Sequence, residues 1–233
     1  MTKRTPVAPV RIHDIPAGDR PREKILRSGP RSVSDSELLA IVLRTGFKGQ
    51  SSLQLATTIL KYHGGLAGLL GASPHGLHRL SLGPVRSASL LAGLELGCRI
   101  ARAALPDRDP MSDPGAVARY LALQFANPGQ EIMGALFLDT RNRLIGEQEI
   151  YRGTLNRAAV EPRAVLKEGL LRDAAGFVLF HTHPSGDPSP SAEDLAFTRR
   201  IAQSGELLGL RLVDHLIVGS GDAWISLRQR GGW

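Results

Sequence analysis

The sequence predicts a two-part α/β (α+β) protein, with a helical N-terminal domain followed by a mixed α/β domain. Three observations carry that class. Up to about Ala104 the apolar residues recur at helical spacing between Gly and Ser stops; LPDRDPMSDPG, residues 105–115, breaks the pattern with three prolines; beyond it come short apolar runs of strand length. A chain of 233 residues with 42% hydrophobic content can bury a core in each part. The boundary falls in the proline-rich segment, giving residues 1–108 and 109–233.

In the first part, SDSELLAIVLRTG opens on Ser34 with Glu37 three residues on. That pairing satisfies the free amides of a helix start, and Gly46 is expected to mark the end. SSLQLATTILKYHGG repeats the scheme, with Leu53, Leu55, Ile59 and Leu60 apolar and Gly64 and Gly65 as the stop. SPHGLHRL begins at a Ser73 cap with Pro74 in the first helical position, where a missing amide costs little. Val85 to Ala104 is the longest helical candidate. Ahead of it lies the turn Ser81, Leu82, Gly83, Pro84. A Gly turn leading into a helix can present backbone amides to a phosphate, as in a helix-hairpin-helix contact, and Gly83 and Arg86 are the candidate nucleic-acid contacts. Such hairpins usually carry two glycines. This turn keeps one and Pro84 removes a donor, so an ordinary turn between packed helices competes with that reading.

In the second part, AVARYLALQFA reads as a helix capped by Ser112 or Asp113 with Pro114 at its start. IMGALFLD and LIGEQEIY, joined by TRNR, read as a β-hairpin, and EPRAVLKEGLLRDA has helical spacing at Val165, Leu166, Leu170 and Leu171. GFVLFHTH is a buried strand, SAEDLAFTRRIAQSGELLG a helix opening on Ser191, and RLVDHLIVG and AWISLR two further strands.

Charge divides the chain as periodicity does. Residues 1–110 carry 16 Lys+Arg against 8 Asp+Glu and residues 111–233 carry 13 against 14, so the parts are +8 and −1. The positive part is suited to nucleic acid or another acidic surface. No apolar run of about 18 residues could span a bilayer, and the N-terminus has no signal-like apolar stretch. The expectation is a cytoplasmic protein with no membrane partner. The single cysteine, Cys98, excludes an intrachain disulfide and a cysteine-based zinc knuckle, and reads as a small side chain packed in a helix.

The chemistry concentrates in HTHPSGDPSPSAED, residues 181–194. His181 and His183 are two apart at a strand end, so both imidazoles point to one face. Pro184, Gly186, Pro188 and Pro190 turn the chain sharply and return Ser191 and Asp194 toward the same point. A carboxylate in the first turn of a helix is stabilised by the free amides there. Two histidines and one carboxylate make the three protein ligands of a catalytic zinc, whose fourth position is left to water. Taken separately, H-x-H more often supplies hydrogen-bonding histidines and S-x-x-D a helix cap; the joined string is far more specific. The remaining histidines form no such set: His63, His75 and His78 lie in the helical part, His13 in an N-terminus expected to be mobile, and His215 is expected to pair with Asp214.

HTHP, six residues, then SAED resembles the signature of the JAMM (MPN+) metalloprotease domain, with no ligand missing. EIMGALFLD resembles the segment that carries that family's general base, which makes Glu131 the base by resemblance. RPREKILRSGP, SDSELLAIVLRTG, LFLDTRNRLI, GTLN, EPRAVLKEGL, HTHPSGDPSPSAED and DHLIVG together resemble the RadC family over about residues 15 to 228. The resemblance implies a helix-hairpin-helix-like domain followed by a JAMM/MPN domain with one Zn2+ per chain on His181, His183 and Asp194. Glu131 would be its general base and Ser191 its oxyanion donor. A protein or peptide substrate is implied, with DNA as a further partner through the N-terminal domain, since the family name implies DNA repair. Two departures stand out: the single Gly83, and Thr182 where many relatives resemble HNHP. The resulting expectation is a zinc-dependent peptidase or isopeptidase. The alternative is a DNA-associated protein whose second domain is structural or recruiting.

Overall fold

The structure is a computed structural model and describes residues 14–47, 49–80, 82–107, 109–125, 130–153 and 161–231. His13 with the rest of the N-terminal stretch, Ser81 of the hairpin turn and the last three residues of GTLN lie outside the described residues. Contacts divide the chain into two compact units, Met1–Leu96 and Gly97–Trp233.

The first unit is helical: α1 (Pro21–Ser28), α2 (Asp35–Leu43), α3 (Ser52–His63), α4 (Leu66–Leu69), α5 (Pro74–Arg79) and the beginning of α6 (Pro84–Ala103). Leu39, Leu43, Leu55, Ile59, Leu77 and Leu90 meet in its core. The expected cap of α2 is present, with the Glu37 amide donating to Ser34 Oγ at 3.3 Å and the Ser34 amide to Glu37 Oε2 at 2.7 Å. Donation from the Ser34 amide, reinforced by Lys24, holds the Glu37 carboxyl below the usual range. Ser51 and Gln54 cap α3 in the same way.

One detail differs from the sequence expectation. Helix α2 ends at Leu43, where Arg44 adopts φ 66° and its amide bonds back to Ala40. Gly46 has another purpose, since a Cβ there would lie 1.8 Å from the Gln50 carbonyl oxygen and the loop to α3 could not close. By contacts, the two units divide within α6. The physical reason is that Ala101 and Leu105 pack on the second core.

The second unit holds α7 (Pro114–Gln124), β1 (Glu131–Leu138), β2 (Leu144–Gly153), α8 (Pro162–Leu171), β3 (Gly176–Thr182), α9 (Ala192–Leu207), β4 (Arg211–Val218) and β5 (Trp224–Ser226). The strands form one mixed sheet in the order β2-β1-β3-β4-β5, parallel at β3/β4 and antiparallel at the other junctions. The parallel pair requires a crossover, and α9 supplies it. The expected class, helices followed by a mixed α/β domain, is the observed one.

Alternation along each strand separates two cores. Ile132, Leu136, Leu138, Val178 and Phe180 meet Val117, Tyr120 and Leu121 of α7 on one face. Met133, Ala135, Phe137, Phe177 and Leu179 meet α8 and α9 on the other. Continuing that alternation places Glu131, His181 and His183 on the α9 face. Strand β4 interrupts its own alternation, because Phe177 pairs with Leu212 and Val178 with Asp214, leaving Val213 as a bulged residue. After the bulge Leu216 and Val218 face the α7 core, so His215 faces α9. Among the described residues, no helix is long and apolar enough to cross a membrane.

Candidate metal centre

The strand end and the helix start converge as the motif predicts. His181 and Asp194 are almost wholly buried and His183 half-buried, and one ligand atom from each lies within 4.8 Å of the others. His181 Nε2 is 2.8 Å from His183 Nε2 and 3.3 Å from Asp194 Oδ1. Two imidazole nitrogens and a carboxylate oxygen at this spacing are the donor set of a three-residue zinc site, so the residues present fit that ion. They are the only such group found among the described residues, and His63, His75 and His78 do not contribute to one.

Local hydrogen bonds explain why each of these side chains sits where it does. The His183 ring bonds through Nδ1 to the Asp187 carbonyl at 2.7 Å; a carbonyl only accepts, so Nδ1 carries the proton and Nε2 presents its lone pair to the site. The loop that supplies this carbonyl is tightly folded. Gly186 adopts φ 87°, its amide donates to the His183 carbonyl at 2.9 Å, and a Cβ on it would meet Ser220 Oγ at 2.4 Å. The Ser189 side chain, with the Ser189 amide donating to Asp187 Oδ1 at 2.9 Å, keeps the Asp187 carboxyl below the ordinary range.

Ser191 and Asp194 cap α9 reciprocally. The Ser191 amide donates to Asp194 Oδ2 at 2.7 Å and the Asp194 amide to Ser191 Oγ at 3.2 Å. The Ser191 hydroxyl also donates to Asp194 Oδ2 at 2.8 Å. Cap and ligand are therefore one arrangement: the cap fixes Oδ2 and thereby leaves Oδ1 toward His181. In this arrangement the hydroxyl proton is directed at the ligand carboxylate, so donation to an oxyanion would require exchanging that bond.

Glu131 begins β1 at the same sheet end, and the β1/β3 register reaches the pair Met133 and His181 just inside it. The Ile132 amide donates to Thr182 Oγ1 at 3.1 Å and ties the two strand ends together. Glu131 Oε2 is buried and accepts no hydrogen bond among the described residues.

His215 departs from its expected partner. Asp214 accepts from the His215 backbone amide at 2.6 Å, but the His215 ring bonds to His181 Nδ1 at 2.8 Å and to Thr198 Oγ1 at 2.6 Å. Sequence reasoning missed both contacts. The bulge at Val213 hid the face of His215, whereas Thr198, one helical turn after Asp194, was legible as a neighbour. Asp214 itself is buried beneath β5, which raises its carboxyl above the ordinary value despite bonds from Ser226 Oγ at 2.7 Å and the Arg228 amide at 3.1 Å.

The candidate nucleic-acid residues belong to the other unit. Gly83 precedes α6, and its carbonyl accepts from the Ser87 amide at 3.0 Å. Arg86 Nη2 donates to Thr45 Oγ1 at 2.8 Å and to the Gly46 carbonyl at 2.9 Å, with its guanidinium carbon 5.7 Å from the centre of the Phe47 ring. It thus holds the loop after α2. Cys98 is half-buried, with its thiol 3.5 Å from the Leu123 carbonyl.

The mixed sheet with this cluster at the β3–α9 junction defines a JAMM/MPN-type domain, and the RadC-like JAB domain family matches residues 111–232. The UPF0758 N-terminal family matches residues 12–88. A UPF0758 protein of Chloroflexus aurantiacus is 43% identical over 223 residues, covering 95% of this chain and 97% of its own. One of Stenotrophomonas maltophilia is 45% identical, covering 94% of each chain, and one of Geobacillus thermodenitrificans is 42% identical, covering 94% and 97%. The chain belongs to the RadC family of UPF0758 proteins.

Proposed function

We propose that this protein is a zinc-dependent metallohydrolase of the JAMM type that cleaves peptide or isopeptide bonds in the cytoplasm. The observation that carries the reading is the convergence of His181, His183 and Asp194 ligand atoms within 4.8 Å at a strand–helix junction. Zinc, when bound there, supplies Lewis acidity and lowers the pKa of water to roughly 7. Glu131 is the general base: it accepts a proton from the attacking water on its carboxylate and returns it to the leaving amine. That Oε2 accepts no hydrogen bond among the described residues supports this role, because a carboxylate oxygen not already engaged can take that proton. Ser191 holds Asp194 in the ground state and, on exchanging that bond, donates to the oxyanion.

The test is elemental analysis of zinc per chain together with hydrolysis of peptide and isopeptide substrates. The wild type should hold about one zinc and Asp194→Ala little. Glu131→Gln should keep the metal and lose turnover by at least about 100-fold. Persistent turnover in Glu131→Gln would remove Glu131 from the mechanism. A folded wild type that takes up no zinc would end the reading.

The net charge of +8 on residues 1–110 supports a second reading, in which this part associates with DNA and the second unit is a recruiting module. Arg86 is not a natural contributor, since its guanidinium is engaged within the helical unit.

A further inference from the structure

We infer that His215 and Thr198 are positioning residues that fix the tautomer of His181 and couple it to Asp194, thereby setting the affinity of the centre for its metal. The inference rests on the zinc reading above and concerns residues outside the ligand set.

The Asp194 backbone carbonyl can only accept a hydrogen bond. Thr198 Oγ1 lies 2.6 Å from the Asp194 backbone carbonyl, so the hydroxyl must donate its single proton there. Its oxygen is then an acceptor toward His215 Nδ1 at 2.6 Å, which places the proton of the neutral His215 ring on Nδ1. His215 Nε2 is left as a lone pair and receives a proton from His181 Nδ1 at 2.8 Å. The neutral His181 ring therefore carries its proton on Nδ1 and presents the lone pair of Nε2 to the site. All bonds of this relay run in one direction, and none can be reversed without two acceptors meeting.

A physical consequence follows at the centre. His183 is fixed in the same tautomer by the Asp187 carbonyl, so two imidazole lone pairs face each other at 2.8 Å with a carboxylate oxygen 3.3 Å from one of them. Such a set of lone pairs repels itself unless a cation lies between them, and a metal ion bound there would be that cation. The relay supplies that preorganisation from the interior, since His215 and Thr198 are both fully buried. It also closes on itself: Thr198 is bonded to the carbonyl of the residue whose side chain is the third ligand. A shift of His181 is thus transmitted to the first turn of α9. Outer partners of this kind usually change metal affinity 10- to 100-fold when removed.

Thr198→Val is nearly isosteric and deletes only the hydroxyl, and Thr198→Ser restores it. Nitrogen-15 NMR of metal-free full-length protein reports each histidine tautomer, and competition with a chelator reports zinc affinity. We expect His181 as the Nδ1–H form in wild type and Thr198→Ser, loss of that single form in Thr198→Val, and roughly 10- to 100-fold weaker zinc binding in Thr198→Val alone. A wild type that binds zinc while Thr198→Val shows the same tautomer and the same affinity overturns the inference and leaves the metal reading standing. A wild type that binds no zinc overturns both. Should Thr198→Val fail to fold, His215→Gln replaces it under the same criteria.

Discussion

The two units use polar side chains differently. Among the described residues, the helical unit buries only Ser52 and Ser87 of its polar groups, whereas the α/β unit buries His181, Thr182, Asp194, Thr198, Asp214, His215 and Ser226. Net charge runs the other way, with the excess of lysine and arginine in the first part and near-balance in the second. The comparison teaches that basic composition and chemical potential are separate properties. Surface charge sets which partners approach a unit. Buried, mutually bonded ionisable groups carry a desolvation cost and are retained where geometry matters. In this chain they gather along the β3–α9–β4 crossover.

Three substitutions test that contrast beyond the metal and relay experiments. The largest effect is expected from Gly186→Ala in the α/β unit. Its φ of 87° is unfavourable for alanine and the new Cβ would meet Ser220 Oγ at 2.4 Å, so the loop carrying the Asp187 carbonyl must move. A cost of about 1–3 kcal/mol is expected from such strain. Zinc affinity measured by chelator competition should fall while helix content by circular dichroism stays unchanged. Equal affinity would show that the loop does not orient His183.

A smaller effect is expected from Arg86→Ala in the helical unit. Loss of its bonds to Thr45 and Gly46 should cost about 1–2 kcal/mol in denaturant unfolding, with zinc content unaffected. If the unit binds DNA through other lysines and arginines, the slope of affinity against salt should be the same in mutant and wild type. A slope reduced by about one would place Arg86 on a phosphate after all.

The smallest effect belongs to Glu37→Gln. Glutamine can still serve the cap, as Gln54 does at α3, so only the charged component is removed. The Glu37 carboxyl is held below its unfolded value by the Ser34 amide and Lys24, and a lowered carboxyl stabilises the fold above the unfolded pKa. The wild-type advantage should therefore be full near neutrality and vanish as pH falls through the folded value. Urea midpoints of the two proteins at pH 7 and pH 3 check this, and an advantage that grew on acidification would refute the assignment.

Much of the molecule was legible because its signals are local. Ser34 with Glu37, Ser73 with Pro74, Asp113 with Pro114 and Ser191 with Asp194 each announce a helix start through bonds made within three residues. The convergence of His181, His183 and Asp194 was legible for a related reason: strand alternation aligns the histidines, and a short turn-rich loop limits how far the carboxylate can stray. Gly46 shows where local reading failed. It resembled a helix stop, but the glycine is required by a backbone carbonyl of a residue that only the closed loop brings near.

By itself, then, the sequence determined the order of elements, the helix caps, the mixed α/β class and the grouping of His181, His183 and Asp194 that could hold a metal, since these depend on neighbours a few residues apart. Tertiary structure decided what depends on pairing between distant segments. The bulge at Val213 turned His215 toward His181, the crossover helix brought Thr198 against His215, and Arg86 was drawn to a loop 40 residues away. Register and bulges are properties of two strands together, and no periodicity within one of them encodes which face the partner will present.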